Sequence, residues 1–133
     1  MQRGDEAFFL HRLNTTYQLG KYMLPGSSVE KGEPVTAAGV RETMEEVGVS
    51  IQATDLKPAY SMYRPTHDET GEWADYFFVT DIWDGEPKIN EPHKCDQLAW
   101  FPLRNLPDSV PEYVRVAIGH WINDQVYSEF GWE

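Results

Sequence analysis

The stretch "GVRETMEEVGV", Gly39–Val49, sets four charged side chains, Arg41, Glu42, Glu45 and Glu46, into six residues and then stops at a glycine. At a helical pitch of about 100° per residue, the three glutamates share one stripe, while Ala37, Val40, Met44 and Val47 fall on the opposite one. The segment therefore reads as an amphipathic helix. Like charges three and four positions apart lie roughly 5–6 Å from one another and cost a few tenths of a kcal/mol per pair. Helix stability does not recommend the arrangement, so something cationic is expected to offset it. The plainer alternative is a solvated acidic face partly neutralised by Arg41, four residues before Glu45.

The residues upstream favour the cation. "LPGSSVEKGEPV", 24–35, contains the turn residues Pro25, Gly26 and Gly32, then Glu33, then Pro34 where a first-turn proline is tolerated. A loop thus feeds a carboxylate-rich helix. Loop carbonyls and clustered carboxylates form an all-oxygen site, which suits a hard divalent ion such as Mg²⁺ or Mn²⁺ bridging to phosphate oxygens.

These residues resemble the box of the Nudix hydrolases, G-x5-E-x7-R-E-U-x-E-E-x-G-U with U a bulky aliphatic residue. Seven of its nine positions match, at Glu33, Arg41, Glu42, Glu45, Glu46, Gly48 and Val49. At typical frequencies of roughly one in fifteen, the six non-aliphatic identities coincide by chance about once in ten million starts. Ser27 stands where the box has its first glycine, and Thr43 where it has an aliphatic residue. Ser27 is expected to strain a turn that glycine takes with positive φ, and Thr43 to weaken one core contact.

The resemblance implies an α/β fold in which a mixed β-sheet is sandwiched between helices. It also implies that Glu42, Glu45 and Glu46 hold Mg²⁺ (or Mn²⁺) with the Gly26 carbonyl, while Arg41 orients a glutamate and Glu33 supports the loop. A second segment, "GEPKINEPHKCDQLAWFPLRNLP" at 85–107, is similar to one in Nudix nucleoside triphosphate diphosphatases of the MutT-homologue type. There a Glu-Pro-x-Lys-Cys run precedes a strand carrying Trp. By that resemblance Glu91 is the acidic residue that completes the metal site or acts as base. The expected reaction is hydrolysis of a nucleoside triphosphate, a dNTP or modified dNTP, to monophosphate and pyrophosphate, with the base left open among Glu42, Glu45 and Glu91. Two alternatives stay open. One is ADP-ribose or a nucleotide sugar, favoured by Pro65, which lies where ADP-ribose-cleaving relatives carry a proline. The other is a non-catalytic nucleotide-binding module, which would be expected to have lost metal carboxylates.

Composition narrows the partners. With 133 residues and 41% hydrophobic content, the chain can bury one core, and residues 1–133 read as a single domain. Its net charge is −11, from 22 acidic against 11 basic residues. No basic stripe stands out, which argues against a nucleic-acid polymer or an anionic membrane as partner. A small nucleotide stays compatible, because bound metal supplies the missing positive charge. No apolar run approaches the roughly 20 residues of a membrane span, and "MQRGDE" is no signal peptide, so a soluble cytoplasmic protein is expected. Cys95 is the only cysteine, which is compatible with a reducing compartment and reads as a buried small hydrophobe.

Period and punctuation predict strands at Ala7–Leu13, Leu56–Arg64, Glu72–Trp83 and Gln97–Leu103. Ser109 and Glu112 form a candidate capping box before a helix carrying Val114, Ala117, Ile118, Trp121 and Ile122. Trp83 and Trp100 read as core, and His11, His67, His93 and His120 are too scattered for a zinc site; His93 alone, in the Glu-Pro-x-Lys-Cys loop, is a candidate pocket residue. Nudix relatives usually carry a full strand before the one matching "AFFLHRL", where this chain has only "MQRGDE". The expectation is an upstream start or a homodimer that shields the exposed edge.

Overall fold

The computed structural model describes residues 1–13, 19–26, 28–66 and 68–132. Ser27 and His67 lie outside the described residues, and with them the expectation of a strained turn at Ser27.

The run Ala7-Phe8-Phe9-Leu10 is apolar without alternation, and the fold uses both of its faces. It forms the middle of β2 (Glu6–Arg12), where all four side chains are buried. Phe8 and Leu10 pack against Val47, Val49, Ile51, Leu98 and Trp100. Ala7 and Phe9 point the other way, into a second cluster with Met23, Tyr60, Met62, Val110, Val114 and Ile118. Full burial of a Phe or Leu side chain contributes roughly 1.5–3 kcal/mol, so this strand pins two layers at once.

Around β2 stand β1 (Gln2–Arg3), β3 (Tyr22–Met23) and β6 (Cys95–Pro102), all antiparallel to it. A second sheet has the order β5-β4-β7, with β4 (Lys57–Pro65) antiparallel to β5 (Glu72–Val79) and parallel to β7 (Tyr127–Glu129). Helix α1 (Val35–Val47) covers the Phe8/Leu10 side, and α2 (Glu112–Ile122) the other. The expected α/β sandwich is present, with its strands divided between two sheets. Among the described residues no helix is long and apolar enough to cross a membrane.

Several local expectations change. "MQRGDE" is not bare: Gln2 and Arg3 pair with Ala7 and Glu6, and Gln2 N donates to Thr80 O at 2.9 Å. One edge of β2 is thus shared between β1 and β3. The strand expected to reach Trp83 ends at Val79, because the buried Thr80 hydroxyl turns the chain by bonding both Ile82 N and Ile82 O. Trp83 then leaves the sheet and stacks on Trp100 with ring centroids 5.9 Å apart, inside the α1-side cluster. The Ser109–Glu112 capping box does not form. Helix α2 begins after Pro111 without a side-chain cap, and Ser109 O accepts from Tyr22 N at 2.9 Å instead.

The apolar stripe of α1 is also rotated from the one read in sequence. Ala38, Thr43 and Val47 are its buried residues, whereas Met44 is 44% exposed. Thr43 tolerates burial because its hydroxyl donates to Gly39 O, one turn back, at 2.7 Å.

Candidate active site

The site begins where β2 runs out of apolar residues. Phe8 and Leu10 continue along the same face to Arg12, which reaches the acidic side of α1 beyond a register shift between His11 and Arg12. From α1, Glu42 and Glu46 project one turn apart. The loop before β6 brings Glu91 and Lys94, and the first residue of β6 brings Cys95. Together with Leu10 and Gly26 these residues line a cavity of about 80 Å³.

The turn Pro25–Gly26 closes one wall. Gly26 has φ 142°, a conformation that only glycine adopts without strain, and its N–H donates to Glu46 Oε1 at 2.8 Å. Burial pushes the Glu46 carboxyl up to about 8; the Gly26 amide and Arg12 pull it down, and the charges of Glu42 and Glu91 add to the rise. A carboxylate so placed has too little positive charge around it. Burial likewise raises the Cys95 thiol, whose Sγ donates to Gln97 O at 3.4 Å.

Arg41 organises the opposite side of the helix. Its guanidinium grips Glu33 with two hydrogen bonds, Nη2 to Oε1 at 2.7 Å and Nε to Oε2 at 3.2 Å. It also donates to Glu42 Oε1 at 2.7 Å and to Glu45 Oε2 at 3.4 Å. Glu33 in turn accepts from Glu30 N at 2.8 Å, tying the loop to the helix start. The Arg41 bonds and that amide hold the Glu33 carboxyl below the usual range, and Glu33 and Glu42 raise Arg41 above its own. Arg41 therefore stays charged and fixes one Glu42 oxygen.

Glu42, Glu46, Glu91 and Gly26 thus meet in one cavity, with Arg41 and Glu33 behind Glu42. Glu45 does not line it; its side chain is 50% exposed on the rim beside Arg41. Among the described residues, no group of three or more His, Cys, Asp or Glu side chains is arranged to hold a metal ion as it stands. The donor chemistry nevertheless fits a hard divalent cation: the carboxylates of Glu42, Glu46 and Glu91 line one cavity.

Arg12 was not singled out from sequence. Its signal was the period of two that carries Phe8 and Leu10 onto the α1 face and makes Arg12 the next residue there. Two histidines are engaged elsewhere, His11 with Asp96 Oδ1 at 2.6 Å and His120 with the Tyr60 hydroxyl at 2.6 Å, and His93, the candidate pocket residue, is not among those that line the cavity.

A NUDIX domain profile matches residues 1–123. The chain is 33% identical over 107 residues to a Methanocaldococcus jannaschii protein named ADP-ribose pyrophosphatase, covering 80% of this chain and 60% of that relative. It is 31% identical over 106 residues to the Escherichia coli 8-oxo-dGTP diphosphatase, covering 78% and 79% of the two chains. This chain therefore spans about three fifths of the archaeal relative's length and about four fifths of the bacterial one's. In structure it is similar to a MutT NUDIX hydrolase from Burkholderia pseudomallei, with a TM-score of 0.79, 25% identity and 90% of each chain covered. A MutT protein from Bacillus halodurans shares the fold at a TM-score of 0.73 and 21% identity, over 95% of this chain and 81% of that one. A family match running from the first residue past the end of α2 settles the question that the glutamate stripe raised: this chain belongs to the Nudix family of hydrolases.

Proposed function

We propose that the protein hydrolyses a nucleoside triphosphate, a dNTP or modified dNTP, to the monophosphate and pyrophosphate, with Mg²⁺ or Mn²⁺ as cofactor. The observation that carries this reading is the meeting of Glu42 and Glu46 from α1 with Glu91 from the loop across one cavity that also receives Arg12 and Lys94. Glu42 and Glu46 on the cavity wall, joined by the Gly26 carbonyl and by Glu45 from the rim, are the groups that would hold the ion. When bound, it supplies positive charge to non-bridging phosphate oxygens and lowers the pKa of water. Arg12 and Lys94 attract the polyphosphate, which a chain of net charge −11 otherwise repels. Arg41 keeps Glu42 in place, Glu33 keeps Arg41 in place, and one of Glu42, Glu45 and Glu91 takes the proton of the attacking water.

The test is a panel of dNTPs, oxidised dNTPs, ADP-ribose and nucleotide sugars, assayed with and without Mg²⁺ and with products identified. Several triphosphates should yield monophosphate and pyrophosphate, only with metal. A small added group on the base is worth about 1–3 kcal/mol, so their efficiencies should overlap. The 33%-identical relative named ADP-ribose pyrophosphatase supports a second reading. Efficient cleavage of ADP-ribose with every triphosphate inert would establish it, and binding without any product would identify a non-catalytic module. The cytoplasmic homodimer expected from the sequence was to shield the edge of β2, which β1 and β3 already share; a compact monomer in sedimentation overturns the dimer.

A further inference from the structure

The loop that brings Glu91 to the cavity is fastened to the helix that brings Glu42 and Glu46. The last turn of a helix leaves four carbonyls without intrahelical partners, here those of Met44, Glu45, Glu46 and Val47. Gly48, with φ 71°, ends α1 in the left-handed region and donates its N–H back to Met44 O at 3.0 Å. The loop supplies the remaining donors. Lys88 N reaches Val47 O at 3.0 Å and Asn90 N reaches Glu46 O at 3.2 Å. The Asn90 side-chain amide reaches the last one, Glu45 O, with Nδ2 at 3.2 Å, and gives Met44 O a second donor at 3.3 Å. One residue thus caps three successive carbonyls, and its chain neighbour is Glu91.

Beyond Glu91 the chain turns at once into β6. Glu91 O accepts from Lys94 N at 2.9 Å and from Cys95 N at 3.1 Å. Glu91 therefore sits between two anchors, the end of α1 and the start of β6. The anchor on α1 matters most to the site, because it ties Glu91 to the same rigid element that carries Glu42 and Glu46.

We propose that Asn90 is a positioning residue that sets Glu91 opposite Glu42 and Glu46 by capping the end of α1. The inference rests on the reading of Glu91 as part of the active site. An amide is the required chemistry. An aspartate side chain at 90 has no N–H to offer and would set negative charge against carbonyls at the negative end of the helix dipole. Asn90 is exposed, so its loss should loosen the loop without unfolding the core.

The experiment combines Asn90→Ala and Asn90→Asp with Glu91→Gln in a double-mutant cycle, reading kcat and KM separately, with hydrogen exchange of the 86–95 amides. Alone, each Asn90 variant should lower kcat by about ten- to a hundredfold, the scale of ångström misplacement, with a smaller change in KM. Exchange at Lys88 and Cys95 should quicken. In the Glu91→Gln background the same Asn90 change should cost less than about twofold, because there is no carboxylate left to position. Equal losses in both backgrounds, or wild-type kcat and exchange in Asn90→Ala, overturn the role of Asn90 while leaving Glu91 in the site. Wild-type turnover in Glu91→Gln alone overturns the reading of Glu91, and the role of Asn90 with it. If Asn90→Asp fails to fold, Asn90→Ala carries the cycle; if both do, the cap is structural and the proposal falls.

Discussion

Arg41 and Arg64 both hold carboxylates, but the first is outnumbered and the second is matched. Around Arg41 stand Glu30 at 3.6 Å, Glu33 and Glu42 each at 2.7 Å, and Glu45 at 3.4 Å. Arg64, only 9% exposed, pairs with Asp75 and lies over the rings of Tyr113 at 3.9 Å and Trp73 at 5.0 Å. A single cation among four carboxylates leaves negative charge for something else to balance; a matched pair sealed by aromatic rings leaves none. The imbalance continues across α1 to Glu46, which lines the candidate cavity, whereas the matched pair belongs to the fold.

The largest effect should come from breaking the unbalanced side. Glu46→Gln should lower turnover by about two to four orders of magnitude, the range for groups acting at the reacting centre, with native far-UV circular dichroism retained. Wild-type kcat in this variant would remove Glu46 from the site.

Breaking the matched side should do the reverse. Arg64→Met leaves Asp75 half-buried without its guanidinium and should destabilise the protein by about 3 kcal/mol, while kcat per folded molecule stays within about twofold of wild type. Urea unfolding measures the first and active-site-normalised kinetics the second. A large loss of kcat with unchanged stability would reverse the assignment of the two arginines.

A pH experiment sharpens the contrast without mutation. In metal-free protein the folded Glu46 carboxyl keeps its proton to about pH 8, whereas the unfolded one releases it near 4.5. The folded state binds more protons between those values, so this contribution is fully present below about pH 4.5 and lost as pH rises through about 8, a change of about a few kcal/mol. Unfolding in EDTA at about pH 5 and about pH 8.5 should show the loss, and Glu46→Gln should remove most of it. Saturating Mg²⁺ should restore stability at the higher pH by mass action. Identical pH profiles for wild type and Glu46→Gln would mean that Glu46 is not the titrating group.

The smallest effect tests the departure from the family box. Thr43 is buried with its hydroxyl turned back on Gly39 O. Thr43→Val should stabilise the chain by less than about 1 kcal/mol and leave kcat unchanged. A destabilised variant would show that the hydroxyl bond contributes more than a methyl group does there.

Some of this was legible in the chain because it depends on neighbours in sequence. The three- and four-residue spacings of Arg41, Glu42, Glu45 and Glu46 place them on α1 whatever surrounds it, and Gly48 ends that helix because left-handed backbone suits glycine. The strands β2, β4 and β6 could be located to within two residues at each end from runs of apolar and aromatic side chains. What depends on distant partners could not be read. Burial of Thr43 rather than Met44 follows from how α1 rolls onto β2, and propensity says nothing of roll. The end of β5 at Val79 follows from the Thr80 hydroxyl choosing Ile82 over the sheet. Arg12, Glu46 and Glu91 come from three separate segments, and only packing sets them around one cavity. The capping of α1 by Asn90 is of the same kind: hydrogen-bond donors leave no pattern in sequence when the carbonyls they satisfy lie more than forty residues away.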